Sequence, residues 1–325
     1  MAENCRLLIL ESIHPAGVRR LQEFADVRTL LNVPSELVLA SLQDVEVVVC
    51  KSVTRVDREF LAAAPQLKVV GRAGTGTDNF DKAALAERGI PLLTVPTGNS
   101  VSAAEFGLMC ILMLAKRAVE AIDAVRAGDF RRDLLEGREL SRMTVGLLGV
   151  GNVGRLVASR LQAFGCKVLG HDPDPRSMEL ARSIGVQTVD SVEALIEASD
   201  LLSLHATIDE RSRGIINRAT LAAARPGLLL VNIARGGLMV DADVIAALDD
   251  GRLAALAIDT LAPEPPYNAA PCSHSFDHPL LHHPKVVVFP HMAASTADAQ
   301  EAIALSLAEQ IAARMAAPAG QGDNA

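Results

Sequence analysis

Apolar residues come in short blocks along this chain, separated by stretches in which they recur every three or four positions. In the first part, apolar runs at Arg6–Leu10, Val45–Cys50, Leu67–Val70 and Ile90–Val95 alternate with helical patterns at Pro15–Phe24, Arg58–Ala64 and Lys82–Arg88. A short continuous apolar run is the mark of a strand covered on both faces, and strands covered on both faces by helices are parallel. The rhythm repeats further on. Strands are predicted at Thr144–Leu148, Lys167–Gly170, Leu201–His205, Leu228–Ile233, Ala254–Ile258 and Val286–Phe289. Helices are predicted at Val153–Phe164, Val192–Ala198, Arg218–Ala224 and Ala242–Leu248. The fold class is therefore α/β, built on doubly wound parallel sheets.

One helix departs from the amphipathic pattern. Ser102-Ala-Ala-Glu105 has the spacing of a capping box, so a helix is predicted to start at Ser102. The residues that follow, Phe106 to Ala115, are apolar on every side. Such a helix is expected to be buried all round, between domains or between subunits.

The strand Thr144–Leu148 runs into Gly149-Val-Gly151-Asn-Val-Gly154 and then into a helix. Gly149 permits a tight turn, Gly151 lets backbone approach a pyrophosphate, and Gly154 lets helix and strand pack closely. The helix N-terminus presents N–H groups and a positive dipole end to phosphates. Asp172 follows the next strand, placed to accept hydrogen bonds from a ribose. A 2'-phosphate there would meet like charge, so the pattern favours NAD over NADP. The competing reading is a plain glycine turn, which explains neither the flanking strand and helix nor the downstream acid.

Composition changes the picture mainly by exclusion. The chain has 325 residues, enough for two domains, and half of them are hydrophobic. A net charge of −8, one Tyr and no Trp argue against a nucleic-acid partner. The N-terminus lacks the pattern of a signal peptide, and no apolar stretch is long enough to span a membrane. The five cysteines are scattered, which points to a reducing cytoplasm rather than a disulfide framework. The segment after Arg314 is rich in small and breaker residues and is expected to be disordered.

A nicotinamide carries the hydride itself, so the protein must orient a substrate and handle a proton. Three residues at strand ends suit those tasks. Arg235, before Gly236 and Gly237, has the planar fork that holds a carboxylate, although an arginine there also serves as a helix cap. Glu264 sits among prolines that stiffen its loop, where a solvated acid is the plain alternative. His291 follows an apolar strand and Pro290, and an imidazole exchanges protons near neutrality, although a structural histidine is the equal alternative here. His274, His278, His282 and His283 crowd one segment with Cys272 and Asp277, but in no recognised zinc spacing, so no metal is expected.

Together these segments resemble the D-isomer-specific 2-hydroxyacid dehydrogenases, from about Cys5 to about Leu307. The likeness is carried by Gly71 to Asp81, Thr97 to Glu105, the glycine motif, Asn232 to Gly237, Asp259 to Pro265 and Pro290 to Thr296. The resemblance implies a Rossmann NAD domain, residues 100–289, inserted into a discontinuous flavodoxin-like substrate domain made of residues 1–99 and 290–325. It implies that Arg235 holds the substrate carboxylate, that His291 is the acid and base, and that Glu264 pairs with it. It implies cofactor contacts from Thr75, Asn152, Val153, Asp172, Ala206, Ala234, Arg235, Asp259, His291 and Ala294. It further implies a cleft that closes over the substrate, a homodimer through the helix after Ser102, and no regulatory domain after the last helix.

The substrate implied is a small 2-hydroxy or 2-keto acid. The subgroup most alike acts on 3-phosphoglycerate and needs extra positive charge for the phosphate. Lys51, Arg72 with Ala73 and Gly74, and Arg132 stand at the matching positions, Arg132 with reach toward a partner subunit. Lys51 replaces a frequent arginine and lacks its fork. Ala206 replaces a common threonine, Ala293 replaces a frequent glycine, and the loop Tyr267–Asp277 is longer than usual. The runner-up expectation is a glyoxylate or hydroxypyruvate reductase, separable by a preference for unphosphorylated substrates. A different class is an NAD-sensing binding protein, which would bind cofactor without turnover.

Overall fold

The computed structural model describes residues 5–266 and 274–316 and divides into two compact units. The first comprises residues 1–99 and 295–325, the second residues 100–294. The first unit's strands are β1 (Cys5–Ile9), β2 (Ala25–Thr29), β3 (Val47–Cys50), β4 (Val69–Arg72) and β5 (Leu92–Leu93). Its helices are α1 (Pro15–Gln22), α2 (Ser35–Ala40), α3 (Arg58–Ala63) and α4 (Lys82–Glu87). All strand pairs are parallel, in the order β2-β1-β3-β4-β5. That is the flavodoxin-like order. The four residues of β3 are all buried, which is why this strand reads as an unbroken apolar run.

The second unit contains helices α5 (Ser100–Ala115), α6 (Ala118–Arg126), α7 (Asn152–Ala163), α8 (Pro175–Ser183), α9 (Val192–Ala198), α10 (Arg218–Leu221) and α11 (Asp241–Asp249). Its strands are β6 (Thr144–Leu148), β7 (Lys167–His171), β8 (Gln187–Thr188), β9 (Leu201–Leu204), β10 (Leu228–Asn232), β11 (Leu253–Ile258) and β12 (Val286–Val288). The sheet is parallel, in the order β12-β11-β10-β9-β6-β7-β8. Strand order reverses between β6 and β9, the place where doubly wound sheets open a crevice at their carboxyl ends. The chain then returns to the first unit through α12 (Ala297–Ala316). Ile303, Leu307 and Ile311 of α12 join the same core cluster as Leu7, Ile9 and Val49. Among the described residues, no helix is long and apolar enough to cross a membrane.

Three sequence expectations are corrected here. Helix α5 starts at Ser100, not Ser102, and there is no Ser102–Glu105 capping box. The Ser102 hydroxyl donates instead to the Ala293 carbonyl at 2.7 Å, while Glu105 faces Arg160. Nor is α5 buried all round within one chain. Ala104, Gly107, Cys110, Ile111 and Leu114 face the core, but Val101 and Met109 on the opposite side are exposed. The break between units falls after Ala294 rather than before position 290. The Asp259 carboxylate, at the end of β11, binds the N–H groups of Met292 and Ala293 and keeps them with the second unit. The expected C-terminal tail and the first part of the Tyr267–Asp277 loop lie outside the described residues.

Candidate active site

The turn after β6 is shaped by its neighbour across the strand reversal. Gly149 has φ +92°, and a Cβ there would sit 2.6 Å from the His205 carbonyl carbon and the Ala206 nitrogen. No residue with a side chain fits, so β6 can turn sharply here only through glycine. Gly151, the residue before α7, is different: a Cβ there would meet nothing within 4 Å. The space before the α7 N-terminus is therefore open, and the first N–H groups of a helix have no carbonyl one turn behind them. A pyrophosphate fits that cradle in charge and in room.

Asp172 stands one residue past β7 and is half-buried. Its Oδ2 accepts from Val150 N–H and its Oδ1 from Asp174 N–H, both at 2.9 Å. One carboxylate thus ties the glycine turn to the end of β7, and each oxygen retains a further lone pair for a ribose hydroxyl. Asn152 accepts from Arg155, whose guanidinium also bonds the Val150 carbonyl. Val153, Ala206 and Ala234 are half-buried beside these turns and have no polar side-chain atom to offer.

The three candidate chemical residues lie at the ends of neighbouring strands β10, β11 and β12, and one segment, 259–264, links them. Arg235 follows β10 in extended backbone. Its turn is set by the buried Asn232, which accepts from Ala234 N–H and donates to the Arg235 carbonyl at 2.9 Å. A Cβ on the adjacent Gly236 would lie 2.5 to 2.7 Å from backbone atoms of Thr260, Leu261 and Ala262. The Arg235 turn therefore packs directly on the 259–264 segment. Asp259 begins that segment fully buried, with both oxygens accepting N–H groups of the loop after β12 at 2.8 Å. Burial raises its pKa, opposed by those two N–H groups and by the charge on His291. Glu264 ends the segment. Its Oε1 lies 3.4 Å from His291 Nδ1.

His291 has φ +56°, the left-handed region that non-glycine residues seldom adopt. The two N–H bonds to Asp259 immediately after it hold the backbone there and turn the imidazole toward Glu264. His205, by contrast, is unsuited to acid–base work near neutrality. Burial lowers its pKa to about 4, Nδ1 is buried without a partner, and Nε2 meets Ser203 Oγ at 3.0 Å.

The remaining candidates are spread over both units. Lys51, Arg72, Ala73, Gly74 and Thr75 belong to the first. Lys51 Nζ donates to Gln300 at 2.8 Å, and burial lowers its pKa. Arg72 donates from Nε to the Gly76 carbonyl and from Nη1 to that of Ala73. Thr75 Oγ1 meets the Val95 carbonyl and Asn99. Arg132 is exposed in the short turn Arg132–Leu135, and Ala294 is half-buried at the end of the second unit. The crowded histidines do not converge: His278, His282 and His283 each face a different carboxylate, those of Asp241, Asp277 and Asp249. Residues not singled out beforehand include Asn232 and Glu11. The Glu11 carboxylate accepts four N–H groups from Lys51 to Thr54. An acid at the end of β1 carries no local signal that its donors lie forty residues away.

Residues 108–293 match the family model described as D-isomer specific 2-hydroxyacid dehydrogenase, NAD binding domain. The chain belongs to this family. It is 34% identical over 307 residues to the D-3-phosphoglycerate dehydrogenase of Methanocaldococcus jannaschii, covering 94% of this chain and 56% of that one. The chain thus spans about half the length of the curated relatives it matches. Among solved structures, it superposes on the TT0316 protein of Thermus thermophilus with a TM-score of 0.82 and 29% identity, covering 95% of this chain and 96% of that one. It also superposes on an NADPH-dependent glyoxylate/hydroxypyruvate reductase of Sinorhizobium meliloti, solved with NADP and malonate. There the TM-score is 0.82 at 25% identity, covering 97% of this chain and 94% of that one. The NAD-binding part of the chain is the second unit, the one that holds the glycine turn and Asp172.

Proposed function

We propose that the chain is an NAD-dependent dehydrogenase that interconverts a D-2-hydroxy acid and its 2-keto acid. The observation that carries this reading is the His291–Glu264 pair at 3.4 Å, held beside the Arg235 turn by the one segment that starts at the buried Asp259. In oxidation, Arg235 holds the substrate carboxylate and His291 takes the proton from the C2 hydroxyl. In reduction, His291 returns it. With Nδ1 turned to Glu264, Nε2 is the nitrogen assigned to the substrate oxygen, and the carboxylate steadies the imidazolium. NAD, when bound, supplies the acceptor for the hydride that leaves C2. Asn152, Val153, Gly154 and Asp172 would hold it, with Thr75, Ala206, Ala234 and Ala294 as further contacts. Asp259 serves by fixing the His291 loop.

For the substrate, we propose 3-phosphoglycerate, supported by the identity to 3-phosphoglycerate dehydrogenases and by Lys51, Arg72 and Arg132 as charges for a phosphate. The competing reading, a glyoxylate or hydroxypyruvate reductase, draws on a specific observation. Lys51 is engaged with Gln300, and Arg72 folds onto carbonyls of its own loop. The comparison of D-3-phosphoglycerate with D-glycerate decides between them. The first reading predicts that Arg72→Ala lowers kcat/KM for the phosphorylated acid about tenfold or more and leaves D-glycerate within about twofold. A preference for D-glycerate, unchanged in Arg72→Ala, supports the second. We also propose a homodimer through the open side of α5, where Val101 and Met109 are exposed with Ile122, Val125 and Phe130 of the following segment. The free thiols of Cys5, Cys50, Cys110 and Cys166 support a cytoplasmic setting.

A further inference from the structure

Glu264 has an unusual problem of support. Its side chain is 41% exposed, it sits on a loop, and its described ion-pair partner is the residue it is meant to orient. A carboxylate so placed is as well aimed as its backbone is fixed. Asp259 and the Gly236 contact secure the segment on the side that enters from β11. On the other side, the support comes from His278.

His278 is 3% exposed, the most deeply buried of the histidines crowded in its segment. Its Nδ1 accepts from Leu280 N–H at 3.3 Å, so the proton of a neutral ring lies on Nε2. That Nε2 stands 3.2 Å from Asp241 Oδ2 and 3.3 Å from the Ala262 carbonyl. The ring stacks near Phe276, with centroids 6.3 Å apart. Asp241, the first residue of α11, is itself half-buried, and burial raises its pKa while His278 opposes the rise. A half-buried carboxylate, a buried imidazole and a backbone carbonyl two residues before Glu264 thus form one chain of contacts. A buried imidazole N–H needs an acceptor, and here one acceptor is a carbonyl of the very segment that carries Glu264.

We propose that His278, oriented by Asp241, is a positioning residue for Glu264: its grip on the Ala262 carbonyl sets where the carboxylate meets His291. This rests on the dehydrogenase reading above. The cofactor cradle at Gly149–Asp172 is built on other strands, so NAD binding reads out separately from this contact.

The test is kinetic and uses the full chain with NAD and its best 2-hydroxy acid. Four variants are compared with wild type: His278→Leu, His278→Gln, Glu264→Gln and the double variant Glu264→Gln/His278→Leu. His278→Leu is expected to lower kcat about tenfold to a hundredfold, with NAD affinity within about twofold of wild type. His278→Gln, which keeps a donor at the end of the side chain, should recover most of that loss. The double variant should be no slower than Glu264→Gln alone, because His278 acts through Glu264. Wild-type kcat in His278→Leu, or losses that add in the double variant, would overturn the proposal. If Glu264→Gln itself keeps wild-type activity, the role given to Glu264 fails first, whatever His278 does. Should His278→Leu not accumulate as folded protein, Asp241→Asn reads the same coupling. It should slow the wild-type enzyme and leave the Glu264→Gln background unchanged; an added loss there contradicts the proposal.

Discussion

Replacing His291 with Ala is expected to lower kcat for 2-hydroxy acid oxidation by about a hundredfold to ten-thousandfold, with NAD affinity within about twofold of wild type. The range is that of a positioned general acid–base, and the buried histidines are not placed to take over. Burial pushes the His205 pKa down to about 4 and its ring is aimed at Ser203, while His278 is occupied with Asp241 and Ala262. Cofactor affinity should hold because the pyrophosphate and ribose cradle is built from β6, β7 and α7. The substitution must also respect the backbone. At φ +56°, Ala carries a strain that Asn tolerates better, so His291→Asn separates loss of the base from loss of the loop's shape. Both variants should lose the chemical step. Steady-state kinetics with a fluorescence titration of NAD check this, and a fast His291→Asn enzyme would remove His291 from the mechanism.

The second large effect is expected at Arg235. Arg235→Ala should lower kcat/KM by about a hundredfold to a thousandfold, the cost of losing two charge-assisted hydrogen bonds to the substrate carboxylate. Arg235→Lys should recover only part, because an ammonium keeps the charge but not the planar pair of donors. The loss should fall on KM as well as kcat, since the carboxylate is present in ground state and transition state alike. The turn that carries Arg235 is held by Asn232 and by the close approach of Gly236 to the 260–262 backbone, neither of which needs the guanidinium. Both variants should therefore melt within a few degrees of wild type. Measuring kcat and KM for substrates with and without a carboxylate checks the assignment, because a role in binding a carboxylate predicts no penalty for a substrate that lacks one.

What was legible in the chain beforehand follows a physical rule. Strands buried on both faces, such as β3, β9 and β10, have no choice but to be apolar, and they stand out as runs. The edge strand β2 does not, because Asp26, Arg28 and Thr29 point to solvent and pairing with β1 alone makes it a strand. The two-residue β8 and the short helix α2 are likewise held by tertiary contact rather than by local pattern. The glycine turn was readable because a Cβ is impossible at Gly149, and a steric requirement leaves a mark in the sequence. The Ser102–Glu105 spacing does not form a capping box because the helix already starts at Ser100, which leaves the Ser102 hydroxyl to donate to the distant Ala293 carbonyl and Glu105 to face Arg160. Arg235, Glu264 and His291 could be picked out one by one. That a single buried carboxylate, Asp259, and the close contact at Gly236 bind their three loops together is a property of strand order, and strand order is not written locally.

The most direct test of the account is whether purified wild-type chain reduces cofactor when offered matched D and L 2-hydroxy acids, with NAD and NADP in parallel. The account predicts NADH formation from a D acid, little or none from its L enantiomer, and a clear preference for NAD, because Asp172 presents a carboxylate where a 2'-phosphate would lie. NAD binding without turnover of any hydroxy acid would contradict it, and would mark the chain as a binding protein built on a dehydrogenase fold.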